Sequence, residues 1–109
     1  MKPKKFSLSK ISKQLKKAFS PITIANVDNF VLKIAKLKGS YHWHKHDKDE
    51  LFIVLKGKIK IQTKSGNIIL SKGEGVRIPK GVRHCPIAIQ PSIVIMFEDS
   101  KLKSEKHAT

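Results

Sequence analysis

Short apolar segments separated by turn signals recur every eight to twelve residues from Ile22 onward. Residues 58–62 alternate strictly between long polar residues and isoleucine, which is typical of a strand with one buried face. Residues 51–55 are apolar throughout, which favours a strand buried on both faces. The Ser-Gly-Asn sequence at 65–67 predicts a hairpin turn. Together these features predict an all-β sandwich or barrel.

The strands predicted from this pattern fill one domain at residues 21–99, because a chain of 109 residues provides the core of a single small domain. Pro91 and Ser92 separate the last two strands. The polar residues 100–109 are expected to form a frayed tail. The predicted strands are 22–27, 30–38, 41–46, 51–55, 58–62, 68–70, 76–78, 87–90 and 93–97.

A short helix is predicted in the lysine-rich leader at residues 1–20, since Leu8, Ile11 and Leu15 recur at helical spacing. Pro21 ends this helix. We expect its apolar stripe to pack against the sheet or against a partner subunit. The alternative is a basic helix that lies on an anionic membrane surface, but the stripe is short and lacks tryptophan.

The formal charge of +15 invites a nucleic-acid interpretation. The basic residues are nearly all lysines, however, and only Arg77 and Arg83 offer the planar fork that phosphate and base recognition favours. Lysines such as Lys33, Lys36 and Lys58 look like residues of solvated strand faces. We therefore do not expect nucleic-acid binding.

Cysteine usage and hydropathy bear on the compartment. Cys85 is the single cysteine, which excludes an internal disulfide and fits a reducing environment. No apolar run has the length of a signal peptide or of a membrane span. We expect a cytoplasmic protein that does not associate with a membrane.

The densest chemical signal is a run of histidines followed by a glutamate. Alternate side chains of a strand point to the same face, so His44 and His46 lie on one face about 7 Å apart. Glu50 follows with the same parity, and His84 follows a later proline-glycine turn. Three imidazoles and one carboxylate suit iron, manganese, nickel, zinc, copper or cobalt, whereas magnesium and calcium prefer oxygen ligands. We predict that these four side chains bind one divalent transition metal and leave positions open for a ligand.

These residues resemble the two sequence motifs of the cupin superfamily. The first motif corresponds to Gly39, His44, His46, Glu50 and Gly57, and the second to Gly73, the Pro-Lys-Gly turn at 79–81 and His84. Gly39 is one residue closer to His44 than is usual, and Ala88 stands where the superfamily has asparagine. The resemblance covers about residues 22–98. It implies a double-stranded β-helix, also called a jelly roll.

Four further residues are candidates for contacts around the metal or with a substrate. His42 shares the parity of the two strand histidines and is interpreted as a rim residue. Asp49 is suited to accept a hydrogen bond from a ligand imidazole. Arg77 and Arg83 are suited to bind an anionic substrate group bidentately. For Asp49, Arg77 and Arg83 a solvated surface position is the alternative, and for His42 the alternative is metal ligation or a catalytic role.

Neighbouring aromatic and thiol groups are interpreted as packing residues. Tyr41 and Trp43 have the parity opposite to His44, so a regular strand points them away from the metal. Cys85 likewise has the parity opposite to His84 and is expected to be buried and inert.

Within the superfamily, the chain is similar to short single-domain cupins that resemble the C-terminal part of mannose-6-phosphate isomerases. The shared segments are Trp-His-x-His at 43–46, Asp-Glu-Leu-Phe at 49–52 and Pro-x-Gly-Val-x-His at 79–84. This similarity implies a metalloenzyme with dioxygenase- or isomerase-type chemistry on a small molecule, in which Glu50 is a candidate base. The alternative is a non-catalytic module that binds a metal or small ligand, as a sensor does. The resemblance also implies a homodimer that pairs sheet against sheet.

Overall fold

The alternating pattern is realised as nine antiparallel strands within residues 1–106, the part of the chain that this computed structural model describes. The strands form one curled sheet, and a short helix precedes them, so the predicted all-β fold with an N-terminal helix is confirmed. The elements are α1 (Leu8–Ser12), β1 (Ile22–Val27), β2 (Phe30–Ser40), β3 (His44–His46), β4 (Glu50–Lys56), β5 (Lys58–Thr63), β6 (Gly66–Ser71), β7 (Gly75–Ile78), β8 (His84–Asp99) and β9 (Ser104–Lys106).

The long strand β8 joins the parts of the sheet. Its first half pairs with β5 and its second half with β4, while β2 runs beside both halves. The prediction of two strands separated at Pro91 and Ser92 is therefore wrong. The Ser92 hydroxyl accepts the N–H of Lys58 at 2.9 Å and donates to the Gln90 carbonyl at 2.7 Å. These bonds satisfy backbone groups at the bend, so the chain stays paired through it.

Gly57 turns the chain between β4 and β5 beneath this bend. Its φ of 92° lies in the left-handed region that glycine adopts without a steric penalty. A Cβ atom added here would collide with the side chain and the Cα of Ser92. The turn therefore requires glycine for two independent reasons.

The core lies on the inner face of the curled sheet. Val54, Val94, Ile59 and Ile61 are at most 1% exposed. The outer face of β4 is less covered than its apolar sequence suggested, since Ile53 is 38% exposed. The expectation that this strand is buried on both faces is wrong for that position.

The leader contains a shorter helix than its spacing predicted. The helix ends at Ser12 rather than at Pro21. Beyond it, Leu15 is buried, and Phe19 donates its N–H to the Lys36 carbonyl at 2.8 Å with a positive φ of 59°. The leader therefore returns to the sheet beyond the helix, whereas no residue of α1 itself is buried. Across the described residues, no helix has both the length and the apolar character that crossing a membrane requires.

The C-terminal segment is partly ordered by pairing. We expected residues 100–109 to be frayed, but Ser104–Lys106 form β9, which pairs antiparallel with β3. The rest of the predicted tail, residues 107–109, lies outside the described residues. The strand escaped prediction because its polar residues carry no apolar alternation.

Candidate metal centre

Strand β3 directs two histidines to the inner face of the sheet. His44 and His46 are 3% and 7% exposed, while Lys45 between them is less buried. The strand lies between β8 and β9, where His44 is opposite His84 and His46 is opposite Ser104. The spacing of two residues therefore places both imidazoles in the interior, as the strand parity predicted.

The turn that ends β7 brings the third histidine to the same place. Gly81 in this turn donates its N–H to the His46 carbonyl at 2.8 Å, which fixes the turn against β3. His84 follows at the start of β8 and is completely buried. One ring nitrogen from each of His44, His46 and His84 lies within 4.8 Å of the others. The three imidazoles thus form one cluster.

The Nδ1 atoms of all three rings have partners outside the cluster. Those of His44 and His84 lie 2.9 Å from the carbonyls of His42 and Val82, and that of His46 lies 2.8 Å from the Ser104 hydroxyl. A carbonyl only accepts hydrogen bonds, so Nδ1 carries the proton in the first two rings. Their Nε2 atoms therefore keep the lone pair that binds a metal.

Several buried polar atoms of the cluster have no hydrogen-bond partner among the described residues. They include Nε2 of His46, Nε2 of His84 and Oε1 of Glu50. The His46 and Glu50 atoms lie only 3.0 Å apart, yet their directions do not suit a hydrogen bond. Unpaired buried polar atoms are costly, and a bound cation satisfies them. The donor set therefore fits a transition metal.

Burial keeps the imidazoles in the form that binds metals. It lowers the pKa of His44 to about 4, although the hydrogen bond to the His42 carbonyl opposes this shift. Burial also lowers the pKa of His84, with a smaller contribution from the neighbouring His46. Both rings are neutral near pH 7, so a metal does not have to displace a proton from them.

A second buried carboxylate lies beside Glu50. Glu98 in β8 is directly opposite Glu50 in β4, and the two are 7% and 5% exposed. Burial and the neighbouring Glu50 raise the pKa of Glu98 to about 7. Burial raises the pKa of Glu50, but His46, Glu98 and His84 together lower it by more, so the net pKa of Glu50 lies below its usual value. The two carboxyl groups of this pair thus have opposite pKa shifts.

Sequence reasoning missed Glu98, although the signal was present. Ser92, Val94 and Met96 are buried at alternate positions of β8, and Glu98 continues this parity. An acidic residue at the next inward position of an apolar strand is therefore a site candidate. The prediction ended the strand at residue 97 and did not consider it.

The pocket that opens onto the histidines has a volume of about 150 Å³. Tyr41 lines it, in contrast to the predicted outward position, because residues 41–43 are not part of a regular strand. Lys33 also lines it, so the prediction of a solvated strand face is wrong for this lysine. Its Nζ lies 3.5 Å from Oε2 of Glu98. Phe19 of the leader stacks on Tyr41 with ring centroids 4.9 Å apart.

The four further candidate residues lie around this centre and do not join the cluster. His42 contributes its backbone carbonyl to His44, and its ring lies against Tyr41. Asp49 is exposed, accepts the N–H of Lys80 at 2.9 Å and lies 3.4 Å from the Arg77 guanidinium. Asp49 and Arg77 line an adjoining surface groove of about 450 Å³.

Arg83 also lies away from the metal pocket. It is half-buried, and its Nε has no hydrogen-bond partner among the described residues. Its side chain lines a surface depression beside Thr63 and Gly81. Neither predicted arginine therefore reaches the pocket, where Lys33 is the cation.

Comparison with known proteins gives a consistent family match. Residues 30–98 match the family described as Cupin domain. The uncharacterised protein YdbB of Bacillus subtilis (strain 168) is 35% identical over 80 residues, which are 72% of this chain and 71% of that protein.

Solved structures share the fold. A cupin-2 domain containing protein from Shewanella frigidimarina NCIMB 400 is 34% identical, with a TM-score of 0.84 over 86% of this chain and 93% of that chain. Hydroquinone 1,2-dioxygenase PnpCD, in complex with Cd2+ and 4-hydroxybenzonitrile, is 15% identical, with a TM-score of 0.72 over 83% of this chain and 69% of that chain. At this lower identity the likeness shows the fold alone.

Proposed function

Because the chain belongs to the cupin family, we propose that it is a small metal-dependent enzyme that acts on a small molecule at His44, His46, Glu50 and His84. One observation carries this proposal: three buried imidazoles cluster within 4.8 Å while their Nδ1 atoms are held by groups outside the cluster. Glu50 supplies the carboxylate beside them. The hydroquinone 1,2-dioxygenase that shares this fold is in complex with Cd2+ and 4-hydroxybenzonitrile.

The chain's own residues have separate roles in this proposal. The three imidazoles and Glu50 hold one divalent ion of iron, manganese, nickel, zinc, copper or cobalt. Such an ion supplies Lewis acidity, and its redox-active members also supply dioxygen chemistry. Glu50 is the fourth ligand, or the base if it leaves the ion. Both dioxygenase- and isomerase-type reactions use metal ligands and a base of this kind, and the identity of the metal distinguishes the two reaction types.

The test is the metal content of untagged protein purified without chelator, measured by mass spectrometry beside two variants. We expect a near-stoichiometric transition metal in the wild-type protein, its loss in His84→Ala, and its retention in the matched control His42→Ala. Redox-active metals direct assays to oxygen consumption, and zinc directs them to isomerisation. Absence of metal in the wild-type protein, together with no uptake on titration, would overturn the proposal. Metal without turnover in either assay would favour the alternative of a binding or sensor module.

The outer face of the sheet supports a homodimer as part of the proposal. Ile53, which is 38% exposed, lies beside the half-buried Ile95 on this face, next to Ile34, which the chain itself covers completely. An apolar row of this kind is suited to pair with a second copy. Light scattering should give the mass of a dimer for the wild-type protein and of a monomer for Ile53→Lys. Ile69→Lys, at an exposed position of β6, is the control that should stay dimeric.

A further inference from the structure

We propose that Lys33 is the residue that selects the ligand of this pocket, by binding the carboxylate of a small molecule with a flat, apolar body. This inference rests on the proposed function, because the other end of the ligand faces the metal centre. The metal-binding residues alone do not specify such a carboxylate ligand.

The position of Lys33 sets it apart from the other lysines of its strand. It lies on the inner face of β2, beside Met96 of β8, and its Nζ is 3.5 Å from Oε2 of Glu98. Its side chain is 30% exposed and lines the pocket, where an incoming ligand can reach it. Lys36, three residues further along β2, instead faces the outer side of the sheet near Leu15. Among the described residues that line the metal pocket, Lys33 is the one lysine or arginine.

Pairing with Glu98 leaves Lys33 able to bind a second acceptor. An ammonium group has three N–H donors in different directions. The contact with Oε2 of Glu98 uses one of these directions. The remaining donors suit a ligand oxygen, and Glu98 holds the flexible lysine chain in place beside the cavity. This pair is thus a preformed anchor that a ligand carboxylate completes.

The charge of the loaded pocket favours an anion whichever form Glu98 takes. A divalent ion and Lys33 together bring three positive charges, while Glu50 and an ionised Glu98 bring two negative charges. One positive charge remains, and a protonated Glu98 leaves more. An unbalanced charge in a partly buried pocket is costly, so a monoanionic ligand binds with an electrostatic advantage. The loaded pocket therefore has a net positive charge with either protonation state of Glu98.

The size and walls of the pocket limit the rest of the ligand. The volume of about 150 Å³ is that of about five water molecules, which limits the part of a ligand that the pocket can enclose. Phe19, Tyr41 and Phe52 provide aromatic surface, and Leu37 and Met96 provide aliphatic surface. A flat apolar body packs well against such walls. A phosphorylated sugar fits poorly, because its hydroxyls and second negative charge find few partners here.

The experiment compares two probes of the same shape on zinc-loaded protein. Zinc titration by calorimetry first shows whether the site fills, which tests the proposed function separately. Benzoate and its uncharged counterpart benzamide are then titrated into wild-type protein, Lys33→Met and the matched control Lys36→Met. We expect Lys33→Met to weaken benzoate binding by about 10- to 100-fold, the usual effect of a lost charge-assisted hydrogen bond. Lys36→Met should bind benzoate as the wild-type protein does, and benzamide binding should not respond to either change.

Each outcome decides the inference. If zinc fills the site and Lys33→Met still binds benzoate with wild-type affinity, the carboxylate is bound elsewhere and the inference is overturned while the metal proposal stands. If the site takes up neither zinc nor any other of the proposed metals, both fall, because the excess positive charge is absent. Should Lys33→Met fail to fold by circular dichroism, Lys33→Gln replaces it and should show the same loss of benzoate affinity. Lys33→Arg, which keeps the charge, should retain most of that affinity.

Discussion

The paired inner faces of β4 and β8 are buried at both ends. One end is apolar and the other carries carboxylates. At one end Val54 lies opposite Val94, and both are at most 1% exposed. Four residues away Glu50 lies opposite Glu98, and these side chains are 5% and 7% exposed. The same pair of strands thus carries a sealed aliphatic layer and a pair of adjacent carboxylates.

This difference shows how a small domain separates stability from function. Each buried valine at the apolar end contributes about 1.5–3 kcal/mol through its removal from water. The carboxylates at the polar end gain little from burial, and their proximity disfavours the ionised form of Glu98. The fold is therefore held by one end of the strands, while the other end carries groups that a metal or ligand has to satisfy.

The largest expected effect is in the aliphatic core that Ile61 of β5 shares with Val54 and Val94. Replacing the fully buried Ile61 with alanine should lower the free energy of unfolding by about 2–5 kcal/mol, because it leaves a cavity. Urea unfolding measures this loss, and metal content of the folded variant should stay unchanged. The exposed Ile69→Ala should change stability by less than about 0.5 kcal/mol. Loss of metal from a stable Ile61→Ala protein would break the proposed separation.

An intermediate effect is expected at the polar end. Ser104→Ala removes the hydroxyl 2.8 Å from Nδ1 of His46, so the ring loses the group that orients it. Zinc affinity should fall about 10- to 100-fold, as is usual for residues that orient metal ligands. Calorimetric titration measures this change, with Ser100→Ala in the preceding connection as the control. Unchanged zinc affinity would show that other contacts fix the orientation of His46.

The smallest expected effect concerns the carboxylate pair in metal-free protein. The folded-state pKa of Glu98 is about 7, above the ordinary value of 4.5. Its contribution to stability is therefore complete below pH 4.5 and is lost as the pH rises through 7. Glu98→Gln removes this loss, so the melting temperature of the variant should rise relative to that of the wild-type protein by several °C between pH 5 and pH 8.

Two controls make that measurement specific. His44, whose pKa is about 4, contributes stability above pH 6.5 that is lost as the pH falls, but it does so in both proteins and cancels. Glu105→Gln, at an exposed position of β9, should show no pH-dependent difference. An equal shift in Glu105→Gln would mean that total charge, rather than the buried pair, sets the pH dependence.

Local patterns predicted the elements whose signal is local. The alternation of His44 and His46, the turn before His84 and the strict period of β5 all depend on neighbouring residues. Strand parity therefore placed His44 and His46 on one face, and the structure brings their ring nitrogens together with that of His84. The mixed donor set also followed from residue types alone.

The remaining parts of the site depend on contacts between distant segments. Lys33 was interpreted as a surface residue because most lysines are, and only its register with Met96 and Phe52 shows that it faces inward. Strand β9 exists by pairing with β3, which no local pattern encodes. Tyr41 enters the pocket because residues 41–43 do not form a strand. The alternation of side chains along a strand therefore does not predict where Tyr41 points.

The leader bears on how far substrate identity can be carried between relatives. Phe19 and Pro21 line the pocket although they precede residues 30–98, the part that matches the family. Two relatives with the same family segment and different leaders would therefore enclose different spaces above the same metal ligands. The family match covers the metal-binding residues at the base of this pocket. Phe19 and Pro21, on one side of the pocket, lie outside the matched residues.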